Sequence, residues 1–147
     1  MWIDDKTWNQ LFELVPRVTA EAMILDEKRE VVLVKRDVEP ERGKWHIPGG
    51  YVRLNEKVKD TVRRRAKEET GLTVEIVDFF KVYDWAEDTR FYYPKGHIVA
   101  IAYLCKPLKG KLKKDARFFS YLTKPKIMGF GHEEYLEDLH GAGFLRT

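Results

Sequence analysis

Residues 50–72 read GYVRLNEKVKDTVRRRAKEETGL. Asn55 can cap a helix running from about Glu56 to Thr70, and Gly71 can close it in the left-handed conformation. At about 100° per residue, Val58, Val62 and Ala66 form one apolar stripe. Glu69 follows Val58 by eleven positions and falls within about 20° of that stripe. A carboxylate directed along a buried face is costly unless something pairs with it. A hard divalent cation is a natural partner, because Mg²⁺ takes oxygen ligands from one or two carboxylates and from phosphates. Glu68 lies one position round the helix and can share such an ion, while Arg64, four residues earlier, can hold its carboxylate. Ahead of the helix, Gly49 and Gly50 follow Pro48 and let the backbone turn sharply and bring a carbonyl close to a ligand.

Outward from this stretch the chain alternates strands and helices. Residues 4–14, DDKTWNQLFEL, place Trp8, Leu11, Phe12 and Val15 at helical spacing, with Asp4 or Asp5 as cap and Pro16 as terminator. Val18 to Leu25 and Val31 to Lys35 read as two strands of a hairpin joined at Asp26–Arg29. Residues 37–50 form a turn-rich loop with an extended piece at Trp45–Ile47. TVEIVDFFKVYDW and HIVAIAYLCKP are strand-like and flank a loop at 86–96. RFFSYL is a short aromatic segment, and HEEYLEDLHGAGFL is a helix ending near Gly141. Strands on both sides of a central helix, with helices at the chain ends, predict an α+β fold in which a mixed sheet lies between helices. No linker or repeat divides residues 1–147, so one domain is expected. The helix within residues 1–15 is expected to pack on that domain or on a partner subunit.

Composition narrows the function. The 147 residues are 44% hydrophobic and 35% charged, with a net charge of +3, a mixed surface that suits an anionic small molecule but gives no case for nucleic-acid binding. No apolar run approaches a membrane span, and the start lacks the basic and apolar regions of a signal peptide. Cys105 is the only cysteine, so no disulfide forms within the chain, and a reducing, cytoplasmic location is expected. Asn9, Gln10 and Asn55 are the only amides; with abundant Lys and Glu, this points towards a thermophile.

The spacing of Gly50, Glu56, Arg64, Ala66, Glu68, Glu69, Gly71 and Leu72 resembles the Nudix box, G-x5-E-x7-R-E-U-x-E-E-x-G-U with U apolar. GKWHIPGG resembles the family's approach to the box, and VVLVKR resembles its second strand. The resemblance implies an α/β/α sandwich with a central mixed sheet. It also implies Mg²⁺- or Mn²⁺-dependent hydrolysis of a nucleoside diphosphate linked to another group. It would make Glu68 and Glu69 metal ligands and catalytic groups, with Arg64 orienting the box. Glu56 would support the metal, and the backbone at Gly49–Gly50 would help hold it. Nucleotide-sugar, GDP-mannose and ADP-ribose hydrolases are the similar subgroups, which implies a small nucleotide substrate and a homodimer. Nucleoside triphosphate hydrolysis is the alternative within the family.

One position departs from the pattern. Arg65 stands where the family has Glu, often a metal ligand or the general base, and a guanidinium can be neither. Three readings stay open: the base comes from outside the helix, the fold binds nucleotides without cleaving them, or the residue departs from the natural one. Outside the helix, His132 opens the last helix and could act as base or phosphate contact. Arg36 could clamp a diphosphate with its forked donors. Trp85 and Tyr92 could stack a base or sugar, and His97 could touch substrate. Asp115, Glu87 and Asp88 are further acidic candidates.

Overall fold

A computed structural model describes residues 2–86 and 96–147. In chain order the elements are α1 (Asp5–Leu14), β1 (Arg17–Ile24), β2 (Val31–Lys35), β3 (Trp45–His46), β4 (Gly49–Tyr51), α2 (Val58–Thr70), β5 (Leu72–Trp85), β6 (Ile98–Gly110), β7 (Ala116–Phe119) and α3 (Glu133–Gly141). A four-stranded mixed sheet runs β4-β1-β6-β5, and a three-stranded sheet runs β3-β2-β7. The expected α+β sandwich is present, with α2 and α3 on opposite faces.

The strand alternation explains the layering. Ala20, Ala22 and Ile24 of β1 meet Val62 and Ala66 of α2, together with Val32, Val34 and Cys105. Met23 turns the other way and meets Tyr135, Leu136 and Leu139 of α3, with Val31 and Leu33 of β2. Because both faces of β1 are covered, every residue from Thr19 to Ile24 is buried. Cys105 is buried too, and desolvation pushes its thiol up to about 12, so it stays protonated and inert.

The expected hairpin between β1 and β2 does not form. β1 pairs in parallel with β6 from Arg17↔Ile98 to Ile24↔Cys105, and antiparallel with β4. β2 belongs to the other sheet, and only an isolated bridge, Leu25↔Val31, joins the two strands. The turn is real: Arg29 N–H donates to Asp26 O and Arg29 takes φ 61°. It redirects the chain into the second sheet instead of folding it back along β1.

Asp4 caps α1 by accepting from Thr7 N–H. The helix packs on its own domain: Phe12 is buried, and the Trp8 and Phe12 rings meet Tyr51 edge-on at 4.9 and 6.0 Å. The Arg17 guanidinium lies 3.9 Å from the Trp8 ring centroid. No helix among the described residues is long and apolar enough to cross a membrane.

Candidate functional site

The start of α2 differs from expectation. Asn55 has φ 66° and does not cap; Lys57 is the N-cap residue and makes no side-chain cap bond. Glu56 takes over that end: its Oε1 accepts from Thr61 Oγ1 at 2.6 Å and from Arg53 N–H at 3.2 Å. Arg64, two turns on, grips the same carboxylate with Nε at 2.8 Å and Nη2 at 2.9 Å. Its Nη2 also donates to Tyr51 O, fastening α2 to the end of β4. The hydrogen bond from Arg64 holds the Glu56 carboxyl down at about 2. Gly71 ends the helix at φ 83°, with its N–H on Lys67 O.

The Gly pair sits between β1 and α2. Gly50 pairs with Ala20, and Pro48 O and Val18 O take N–H bonds from Ala22 and Val52 on either side. By antiparallel alternation, the Gly49 backbone groups point away from β1 and towards α2. Gly49 N–H donates to Glu69 Oε1 at 2.8 Å, and Gly49 O accepts from Arg65 Nε at 2.9 Å. The carbonyl presented to the helix is therefore that of Gly49, not of Gly50. Neither glycine has room for a side chain: a Cβ on Gly49 would lie 1.9 Å from Glu21 Oε2, and one on Gly50 would lie 2.5 Å from Arg65 Nε.

Arg65 is the centre of this cluster. Besides Gly49 O, it reaches Glu68 Oε2 with Nη1 at 2.7 Å and Glu69 Oε1 with Nη2 at 3.2 Å. Glu68 Oε2 is shared with Arg64 Nη1 at 3.4 Å. Burial pushes the Glu68 carboxyl up, but the hydrogen bond and charge of Arg65 outweigh it and leave the group below its ordinary range. Glu68 is the most exposed of these carboxylates, and its Oε1 makes no hydrogen bond among the described residues.

Two buried groups that sequence reasoning passed over complete the site. His46 lies 3.9 Å through Nε2 from Glu69 Oε2, with Nδ1 on Ile47 O at 2.8 Å. Burial pushes its pKa down, as do the charges of Arg36 and Arg65, against the upward pull of Glu69. Glu21, on the α3 side of β1, accepts from Thr19 Oγ1 at 2.9 Å across the bare Cα of Gly49. Burial pushes its carboxyl up to about 8, with Glu69 adding to the rise. The signal for Glu21 was its position inside the apolar run VTAEAMIL, and for His46 its adjacency to PGG.

The remaining predicted residues fall in different places. His132 is 6% exposed, and its Nδ1 accepts from Ile47 N–H at 3.0 Å, which leaves the proton on Nε2. Its ring stands 6.0 Å from that of His46, so the two imidazoles bracket Ile47 ahead of Pro48-Gly49-Gly50. Arg36 lies 5.1 Å over the Phe130 ring, which meets His46 at 5.8 Å, so its guanidinium borders the site.

Trp85 is not a stacking surface: it is 4% exposed, parallel to Tyr83 at 5.8 Å and bonded through Nε1 to Tyr135 Oη. His97 pairs with Asp84 at 2.7 Å beside the Arg17 end of β1. Since Arg17 is four positions from Glu21, the partner of Gly49, that is about 13 Å of strand away from the site. Asp115 sits at the start of β7, with its carbonyl on Lys35 N–H. Tyr92, Glu87 and Asp88 lie outside the described residues.

The NUDIX domain model matches residues 15–130. The chain belongs to the Nudix family. It is 32% identical over 120 residues to an ADP-ribose pyrophosphatase of Methanocaldococcus jannaschii, covering 78% of this chain and 68% of that protein. It is 30% identical over 132 residues to a MutT-like protein of Streptomyces ambofaciens, covering 86% and 79%. Among solved structures, a MutT NUDIX hydrolase from Burkholderia pseudomallei superposes with a TM-score of 0.73 at 27% identity, covering 85% of this chain and 98% of that one. The chain is thus a hydrolase of the class that acts on nucleoside diphosphate derivatives.

Nudix hydrolases generally use divalent metal ions, so the donor set of this Nudix helix can be tested against one. The oxygens are of the right kind: Gly49 O, Glu68 and Glu69. All three already converge on the Arg65 guanidinium, and Glu56 is closed by Arg64 and Thr61. A divalent ion about 4 Å from that guanidinium would meet a repulsion of about 8 kcal/mol at an effective dielectric of about 20. As arranged, these residues do not fit a divalent cation, and the Mg²⁺ or Mn²⁺ expected at Gly50, Glu56, Glu68 and Glu69 is not supported by their geometry. No group of three or more His, Cys, Asp or Glu side chains among the described residues is placed to hold one.

Proposed function

We propose that the chain hydrolyses the diphosphate bridge of a nucleoside diphosphate joined to a sugar-like group, with ADP-ribose and nucleotide sugars as the substrate class. The observation that carries this is the position of Arg36, whose guanidinium lies 5.1 Å over the Phe130 ring beside buried His46 at the border of the site, while the Arg65 fork is taken up by Gly49 O, Glu68 and Glu69. A forked donor at that border suits a diphosphate, which carries charge on two phosphorus centres. The likeness to the M. jannaschii ADP-ribose pyrophosphatase supports the same class.

In the reaction, water adds to one phosphorus, the bridging P–O bond breaks, and two phosphate monoesters leave. Glu68 is the group to accept the proton from water: it is ionised and half-exposed, with Oε1 open to solvent among the described residues. Arg65 and Arg64 fix its other oxygen, and Arg36 holds the substrate phosphates. His132 and His46 position the Ile47–Gly50 backbone.

The test is a hydrolysis screen of ADP-ribose, nucleotide sugars and nucleoside triphosphates, each with Mg²⁺, Mn²⁺ or EDTA, with products separated by chromatography. AMP and ribose 5-phosphate from ADP-ribose, or the matching nucleotide and sugar phosphate, is the expected result. Turnover of triphosphates alone would move the substrate class. No turnover of any compound, with thermal stabilisation by ADP-ribose, would sink the proposal.

A further inference from the structure

The Nudix helix of this chain has a cation built into it. Glu68, Glu69 and the Gly49 carbonyl are three oxygen donors from two elements, brought together at one point by α2 and β4. Such a cluster needs positive charge at its centre, since two carboxylates on adjacent residues repel each other and the Gly49 carbonyl adds a third negative dipole. In this chain the charge comes from the protein. The planar guanidinium meets the carbonyl with Nε and the two carboxylates with Nη1 and Nη2, one nitrogen to each partner.

The fit extends to the surrounding backbone. Gly50 abuts the Arg65 side chain so closely that a Cβ there would lie 2.5 Å from Nε and 2.9 Å from Cδ. The glycine thus leaves the lane along which the arginine reaches Gly49. A further hydrogen bond in the cluster, Gly49 N–H to Glu69 Oε1, stays in place with the guanidinium alongside. The Arg65 side chain is 29% exposed, so it covers the cluster on a side open to solvent.

We propose that Arg65 is the resident cation of this Nudix helix, taking the place of a divalent ion between Gly49 O, Glu68 and Glu69, so that the free protein holds its site together without metal. The proposal uses the Nudix assignment only for the expectation that a metal belongs in this cluster. It is separate from the substrate class, whose failure would show as absent hydrolysis in the screen above and would leave metal binding to the free protein unaffected.

The experiment is a titration of the purified, EDTA-stripped and dialysed protein with Mn²⁺, without nucleotide, read by the loss of the free-ion electron paramagnetic resonance signal. Wild type is compared with Arg65→Glu and Glu69→Gln. The expected result is that wild type binds no stoichiometric Mn²⁺ and that Arg65→Glu gains a site at least about tenfold tighter than any in wild type, because the substitution exchanges a positive for a negative charge among the donors. Saturable one-to-one Mn²⁺ binding by wild type that is lost in Glu69→Gln would overturn the proposal, whatever Arg65→Glu does. Should Arg65→Glu fail to fold, Arg65→Gln removes the charge at nearly constant size. A gain of Mn²⁺ affinity in that variant supports the proposal, and no gain counts against it.

Discussion

Two adjacent arginines in the middle of α2 reach towards opposite ends of the helix and have different roles. At the first end, Arg64 and Glu56 meet in a bidentate pair, each more than four-fifths buried, with Thr61, Arg53 N–H and Tyr51 O taking up the neighbouring positions. At the other end, Arg65 ties one carbonyl and two carboxylates, and Glu68 stays 43% exposed with an oxygen left over. Arg64 follows the family spacing and is structural clamp and box support together. Arg65 breaks the spacing and faces outward. One position of helix separates a closed ion pair from an open one, and the open one is where chemistry has room.

That contrast sets an order of sensitivity. Arg64→Ala should be the most damaging change, because it removes the guanidinium that balances the Glu56 charge and donates to Tyr51 O in a largely buried place. A loss of about 3 kcal/mol is expected, or roughly 6–12 °C in melting temperature by calorimetry. A loss below about 1 kcal/mol would mean the clamp is not structural. Gly49→Ala should follow at about 2 kcal/mol, since the new Cβ meets Glu21 Oε2 at 1.9 Å and Ala20 O at 2.6 Å. The strand backbone cannot retreat without breaking the β1–β4 ladder. Chemical denaturation of the variant measures it.

The pH dependence separates the two ends further. Glu56 has its folded value near 2 against an ordinary 4.5, so it contributes stability that is complete above about 4.5 and is lost as pH falls towards 2. The contribution is at most about 3 kcal/mol. Glu56→Gln should flatten the acid limb of stability in that window, and an unchanged limb would contradict the clamp. Glu21 has the opposite sign: its folded value is raised to about 8, so its contribution is complete below about 4.5 and declines as pH rises through 8. Glu21→Gln should therefore raise the melting temperature at pH 8 relative to pH 5. The smallest structural effect is expected for Glu68→Gln, within about 0.5 kcal/mol at its exposed position, while hydrolysis falls by about 10²-fold or more. Equal activity in Glu68→Gln would move the base elsewhere.

Much of this could be read from the sequence because it depends on short-range periodicity. The stripe Val58, Val62, Ala66, the Gly71 terminator and the reach of Arg64 to Glu68 all follow from spacing along one helix, whereas the clamp of Arg64 on Glu56, ahead of the helix, does not. The failures come from partners distant in sequence. The turn at Asp26–Arg29 looks like a hairpin locally, yet β1 is claimed by β6, about eighty residues on, through a parallel ladder with no local signal. Trp85 ends its strand as expected, but its burial against Tyr135 of α3, fifty residues on, has no local signal. Glu21 escaped notice because a strand covered on both faces shows no alternation to mark the residue that breaks it. The charge at position 65 was visible, but not its three partners, one of which is a backbone carbonyl sixteen residues earlier.

The most direct measurement is a crystal structure of the wild-type protein soaked in Mn²⁺, with data collected at a wavelength where manganese scatters anomalously. The expected map shows the Arg65 guanidinium between Gly49 O, Glu68 and Glu69, with no anomalous peak among those oxygens. An anomalous peak there, with Arg65 turned out to solvent, would contradict it.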